Sequence, residues 1–259
     1  MSTTERDEAI LEHLRRFHLT TPEILHRLFF PDAGLNAVRK VTGRLVRERK
    51  IRPCPLYEQR KYFVLTPGQA ARMGEDRRIG QPYEEQGLVN AYGILLFCIE
   101  QGTHPFSKAE FEEKFPELVI RGVGARNYYV DREETAEGRK TRLGFIVVDY
   151  GTSPETIRKK VHKVAARAHT RPEFSTLIHK GGFVIAVVAP TDTKAEDIKA
   201  ALAADGPGGK VLYRIVASPE LGEYLLHKGR LRKNERRRPA KSGGAAVASE
   251  AEAQEGAER

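Results

Sequence analysis

Asn36-Ala37-Val38-Arg39-Lys40-Val41-Thr42-Gly43-Arg44-Leu45-Val46-Arg47-Glu48-Arg49-Lys50 is the stretch on which the reading of this chain turns. Val38, Val41 and Leu45 recur at helical spacing with Val46 beside them, while Arg39, Lys40, Gly43 and Arg47 fall off that stripe. Arg44 lies next to Leu45, at the edge of the stripe. Downstream, Ile51-Arg52 and Tyr62-Phe63-Val64-Leu65-Thr66 read as strands on either side of a polar tip, Glu58-Gln59-Arg60-Lys61. The stretch is a basic helix followed by a basic hairpin.

Working outward, Ile10, Leu11, Leu14 and Phe17 make one face of a first helix. Thr20 or Thr21 caps a second, with Pro22 in its first turn and Ile24, Leu25 and Leu28 pointing inward. Three helices and a hairpin within residues 1–78 are the order of a winged helix, in which one helix enters a groove of duplex DNA and the two-stranded wing flanks it. Leu45-Val46-Arg47-Glu48-Arg49-Lys50-Ile51-Arg52 and Tyr62-Phe63-Val64-Leu65-Thr66-Pro67-Gly68 resemble the end of a recognition helix and the returning wing strand of many bacterial regulators. The expected DNA contacts are Asn36, Arg39, Lys40, Arg44 and Arg47 on the helix, and Arg60 and Lys61 at the wing tip.

Charge agrees with that placement. The chain of 259 residues carries a formal +9, and residues 36–61 alone hold nine Lys/Arg against Glu48 and Glu58. Acidic substrates or anionic membranes would explain the sign but not why it gathers on these two elements. Cys54 and Cys98 are the only cysteines, too few for a disulfide scaffold or a cysteine-based zinc cluster. No apolar run approaches membrane-spanning length, and the polar start Met1-Ser2-Thr3-Thr4-Glu5-Arg6 is unlike a signal peptide. The expectation is a cytoplasmic protein that makes no use of a membrane and is metal-free or at most magnesium-using.

Arg77 to Glu85, with Gly80 and Pro82, reads as a linker to a second unit, residues 86–227. Leu88 to Gln101 is an apolar helix, suited to a homodimer interface, and Ser107-Lys108-Ala109-Glu110 has capping-box spacing. Strands are expected at 128–130, 144–148, 183–188 and 211–216, with helices at 154–169 and 193–204 between the later ones. Such alternation indicates an α/β layer fold with some parallel pairing. Residues 228–259 begin with a basic arm and end Ala/Glu-rich, and a disordered tail is expected there. The arm reads equally as a phosphate-tracking tail or a solubilising end.

Phe145-Ile146-Val147-Val148-Asp149-Tyr150-Gly151-Thr152, before a Lys-rich helix and with Val130-Asp131 upstream, resembles the replication-relaxation family of plasmid and integrative-element proteins. The likeness covers most of residues 5–190. It implies an N-terminal winged helix joined to a restriction-endonuclease-like (PD-(D/E)XK) α/β domain. Asp131 then matches the family's first acidic position and Asp149 the aspartate of its Glu-x-Asp-x-Gly-Thr pattern, whose glutamate is Val147 here. Lys160 or Lys163 would supply the lysine. Nuclease chemistry in that fold needs carboxylates converging on Mg²⁺, and Val147 leaves the set one short. The resemblance implies a non-catalytic accessory factor of plasmid or mobile-element replication or conjugative mobilisation, binding double-stranded DNA and a relaxase or replication initiator. The alternatives are a winged-helix transcriptional repressor and an active Mg²⁺-dependent nuclease.

Asp149 also reads as a strand-end turn leading to a cap at Thr152 or Ser153, and His162 and His169 as polar-face residues. Tyr128 and Tyr129 are candidates to stack on a base or to sit half-buried in a strand. Gly181-Gly182 and Gly206-Pro207-Gly208-Gly209 read as turns without the Lys-Ser/Thr of a phosphate loop.

Overall fold

The computed structural model of the chain describes residues 3–120, 123–135, 138–204 and 211–229. Helices α1 (Thr3–Phe17), α2 (Pro22–Phe29) and α3 (Leu35–Arg47) lead into an antiparallel hairpin, β1 (Ile51–Pro55) and β2 (Lys61–Leu65), and a short α4 (Pro67–Arg72). Local chemistry sets the boundaries. The Thr21 hydroxyl accepts from the Ile24 amide at 3.3 Å with Pro22 in the first turn, so Thr21 is the cap of α2. Thr20 instead pairs with Phe63 of β2 through its backbone, and its hydroxyl lies 3.0 Å from His13 Nε2. Thr66 caps α4 in the same way as Thr21 caps α2. Ile10, Leu14, Leu25, Val38, Leu45 and Phe63 close the core of this part. Leu28, expected to point inward, is exposed.

The rest of the molecule is a mixed four-stranded sheet between two helical layers. It comprises α5 (Glu85–Glu100), α6 (Lys108–Lys114), β3 (Tyr128–Thr135), β4 (Gly138–Val148), α7 (Pro154–His169), α8 (Pro172–His179), β5 (Phe183–Ala189), α9 (Asp192–Ala203), β6 (Leu212–Ala217) and α10 (Pro219–His227). The sheet order is β3-β4-β5-β6, with β3 antiparallel to β4 and the other pairs parallel. Alternation sorts the side chains. Tyr129, Ile146, Val148, Val184 and Ala186 face α5 and α10, whereas Tyr128, Phe145, Val147, Phe183 and Ile185 face α6 to α9. Every residue of β5 is buried, as befits a central strand covered on both faces.

Four larger expectations change. β3 and β4 run well beyond 128–130 and 144–148, because residues 131–133 and 140–142 pair through charge rather than apolar periodicity, with Asp131 opposite Arg142 and Glu133 opposite Lys140. Three helices, α4, α8 and α10, add to those expected from the sequence. The segment 77–85 is packed, not a free tether. A Cβ on Gly80 would lie 2.6 Å from the Pro67 nitrogen, the Tyr83 amide donates to Tyr62 Oη at 3.1 Å, and Tyr83 Oη accepts from Arg126 at 2.8 Å. Finally, α5 is unavailable as a dimer interface. Val89, Leu95, Phe97 and Cys98 are fully buried in a single cluster that joins Leu19, Cys54, Tyr62 and Val64 of the first part to the sheet and α10. Gly93 lets α5 seat on β4, where a Cβ would come within 2.5 Å of Val148.

That shared core, the Arg16–Glu110 ion pair at 2.8 Å and the Arg126 bond to the Phe17 carbonyl weld the two predicted units together. Of the expected tail, residues 230–259 lie outside the described residues, as do Gly206 to Gly209. Among the described residues no helix is long and apolar enough to cross a membrane.

Candidate functional site

α3 buries Val38, Thr42 and Leu45, and the Thr42 hydroxyl returns a bond to the Val38 carbonyl at 2.9 Å. The opposite face therefore presents Asn36, Lys40, Gly43 and Arg47 to solvent, with Arg39 on its hairpin side. Arg39 donates to Asn36 Oδ1 at 3.3 Å. None of Arg39, Lys40, Arg47 and Lys61 has an ion-pair partner among the described residues. Arg44 differs. Its Nη2 reaches both carboxylate oxygens of Asp7 at 2.6 and 2.8 Å, and its Nε is 4.0 Å from Glu48, so it ties α3 to α1.

The hairpin lies beside α3, and the two enclose a groove of ≈ 590 Å³ that also takes in the start of α2. Arg39, Arg60 and Lys61 line it, and Glu23 is the one carboxylate in its lining. At the tip, the Arg60 amide donates to the Tyr57 carbonyl at 2.8 Å, and Glu58 takes a left-handed conformation at φ 48°. The Arg60 guanidinium sits 5.2 Å above the Tyr57 ring and 3.6 Å from Glu223 of α10, while the Lys61 ammonium lies 5.8 Å from the Phe63 ring. Arg39 of the helix and Arg60 and Lys61 of the hairpin thus border one concave surface, with Arg60 shared between the groove and α10 and with Lys40 and Arg47 outside the groove lining.

The acidic candidates do not converge. Asp131 is 1% exposed on β3, held by Arg214 at 2.8 Å, Arg142 at 3.6 Å and the Tyr129 hydroxyl at 3.3 Å. Asp149 follows the last residue of β4, seven positions beyond the Arg142 that pairs with Asp131. At about 3.3 Å per residue the two backbone positions are offset by roughly 23 Å along the strand direction, too far for the carboxylates to share a metal ion. The paired acidic site that the nuclease alternative requires is not assembled.

Asp149 is wholly buried and forms a strand-end turn. Its Oδ1 accepts from the Gly151 and Thr152 amides, both at 2.9 Å, and from the Thr152 hydroxyl at 3.2 Å, while Ser153 caps α7. Its Oδ2 has no hydrogen-bond partner among the described residues. Burial pushes the Asp149 carboxyl up, opposed by the Thr152 amide and the Lys194 charge. Lys160 interacts with it through charge. Burial pulls the Lys160 ammonium down, Asp149 opposes this, and Nζ donates to the Val148 carbonyl at 3.3 Å over the Tyr150 ring. Tyr128 and Tyr129 are buried at 3% and 1%, in contact with Phe111 and Phe97, and offer no face to a base.

Sequence reasoning missed the partners: Asp7 for Arg44, Arg142 and Arg214 for Asp131, and α10 for the hairpin tip. Comparison with protein-family models, curated proteins and solved structures finds no match to this chain.

Proposed function

We propose that this chain binds duplex DNA through a winged helix made of α1 to α3 and the β1–β2 hairpin. The likeness to replication-relaxation proteins supports a role as an accessory factor of plasmid or mobile-element replication or mobilisation. On this reading α3 is the recognition helix, with Asn36, Arg39, Lys40 and Arg47 toward the groove or its phosphates, and Arg60 and Lys61 of the wing flank it. The restriction-endonuclease-like part is a non-catalytic body that steadies the wing.

One observation carries the reading. Exposed cations with no ion-pair partner among the described residues are gathered on the outward side of α3 and across the groove on the hairpin. With Glu23 the one carboxylate in the groove lining they repel one another, and a phosphate backbone would relieve that repulsion while releasing its condensed counterions. Arg44 is left out of the DNA-contacting set, because Asp7 already holds it.

The test is fluorescence anisotropy with a labelled duplex across a salt series. Replacing Arg39, Lys40 and Arg47 together with Gln should weaken binding and flatten the slope of log K against log salt. The change should be roughly 0.9 for each phosphate no longer neutralised, about 2 to 3 in all. Unchanged affinity and slope would overturn the assignment.

A further inference from the structure

Three helices of this molecule pair opposite charges along their own length. In α1, Arg15 meets Glu12 at 2.6 Å; in α6, Lys108 lies 3.8 Å from Glu112; in α9, Lys199 lies 2.9 Å from Glu196. α7 begins in the same way, with Arg158 at 2.7 Å and Lys159 at 3.9 Å from Glu155. Beyond Glu155 the helix has no further carboxylate. Ile157, Val161 and Ala168 set its inner side, buried against the sheet. Lys159, Lys163 and Arg167 are exposed on the other side, four residues apart. Like charges at that spacing are neighbours on one helix face and repel, so the row weakens the helix that carries it. The helix dipole favours Arg167, which stands in the last turn, but does not act on Lys163 at mid-helix.

α8 continues this surface. Arg171 precedes it and Lys180 follows it, both exposed, and Glu173 is its one carboxylate. The His169 and His179 rings lie 6.5 Å apart, so the C-terminal ends of the two helices meet. Lys163, Arg167, Arg171 and Lys180 have no ion-pair partner among the described residues. We propose that the α7–α8 surface is a second phosphate-binding site, which takes a segment of duplex DNA separate from the one at the α3–hairpin groove. The row from Lys159 to Arg167 spans about 12 Å at about 1.5 Å per residue, the axial length of roughly three to four phosphates on one strand. Phosphates set along it remove the repulsion within the row and release condensed counterions. Position makes the two segments separate. α7 and α8 cover the sheet face opposite the one that α5, α10 and the α1–hairpin part share. With a duplex on each surface, the chain bridges two DNA segments. These residues take no part in the winged-helix reading, so either site can fail without the other.

The experiment uses the full chain and an excess of labelled duplex of roughly 20 bp, about two helical turns. Sedimentation at low salt counts the duplexes held by each chain. The wild-type chain should hold two, and replacing Lys159, Lys163 and Arg167 together with Gln should reduce this to one. Binding that remains in the Arg39, Lys40 and Arg47 triple variant reports the α7 site alone. Adding the three α7 changes should weaken it at least tenfold and flatten its salt slope by roughly 0.9 per phosphate, about 2 to 3 in all. The thermal midpoint of the α7 variant should not fall, since the changes relieve repulsion within the row. A wild-type chain that holds one duplex, retained in the α7 variant, overturns the proposal and leaves the winged-helix reading in place. Loss of a duplex in the α7 variant but not in the α3 variant upholds this site and removes the winged-helix one. Failure of the wild-type chain to bind any duplex removes both.

Discussion

Two charged regions of this molecule have opposite constructions. On α3, Arg39, Lys40 and Arg47 point outward and have no ion-pair partner among the described residues. Around Asp131, the charges point inward, and Arg142 and Arg214 close on a carboxylate that is 1% exposed. The inward set is bound by its own neighbours and contributes to the fold, since a buried ion is tolerable only when it is paired. The outward set contributes little to the fold and is open to a ligand of opposite charge. Net charge alone does not separate the two; orientation does.

The largest expected effect tests the inward set. Asp131→Asn leaves Arg214 and Arg142 facing a neutral amide, which should lower unfolding stability by about 3 to 5 kcal/mol. Urea denaturation reads this, and a loss within about 0.5 kcal/mol, typical of surface substitutions, would show the cluster to be dispensable.

Acid should act next most strongly, again through the interior. Burial pulls the His13 imidazole from its ordinary 6.5 to about 4, so the folded chain holds it neutral beside Thr20. As pH falls, the unfolded chain takes up that proton first. The contribution is therefore complete above the ordinary value of about 6.5 and is lost as pH falls toward about 4, amounting to roughly 3 kcal/mol. His13→Gln should flatten the dependence of the urea midpoint on pH in that window; an unaltered profile would exclude His13 as its source.

Arg44 and Arg47, neighbours within one turn of the same helix, sharpen the comparison further. Arg44→Gln should cost about 1 to 2 kcal/mol through loss of the Asp7 bonds and leave the salt slope of DNA binding unaltered. If Arg44→Gln flattens the slope as Arg47→Gln does, the division between paired and unpaired cations on α3 is wrong.

The smallest effect has two signs. Gly43 sits on the outward face of α3, and an added Cβ would meet nothing within 4 Å. Gly43→Ala should raise stability by about 0.5 to 1 kcal/mol through the lower entropy cost of alanine in a helix. Binding should weaken if DNA approaches the helix closely there. A variant that is both more stable and equally tight would place the DNA elsewhere on α3.

Some of the hidden pairing was legible. Asp7 precedes Ile10, Leu14 and Phe17 at helical spacing, so an acid stands on an apolar stripe and calls for a cation across it. Asp131 likewise follows Tyr129 by two in a strand and must share its buried face. Neither position could name its partner. Arg44 is 37 residues from Asp7 and Arg214 is 83 from Asp131, separations that no local pattern spans. The extension of β3 and β4 was hidden for a related reason: a hairpin that pairs by alternating charge lacks the apolar rhythm by which strands are read.

What the sequence determined by itself was local. It set the three helices and the hairpin, a cap at Thr20 or Thr21 and another at Ser107, the all-apolar β5 and the basic face of α3, because periodicity and capping depend on neighbours within a few positions. Tertiary structure alone decided which charges were free. It set Arg44 on Asp7, enclosed Asp131 between two arginines, fixed the β3–β4 register that separates Asp131 from Asp149 and laid α10 against the hairpin tip. A side chain's charge is written in the chain, but the field it meets depends on what the fold brings within a few ångströms of it.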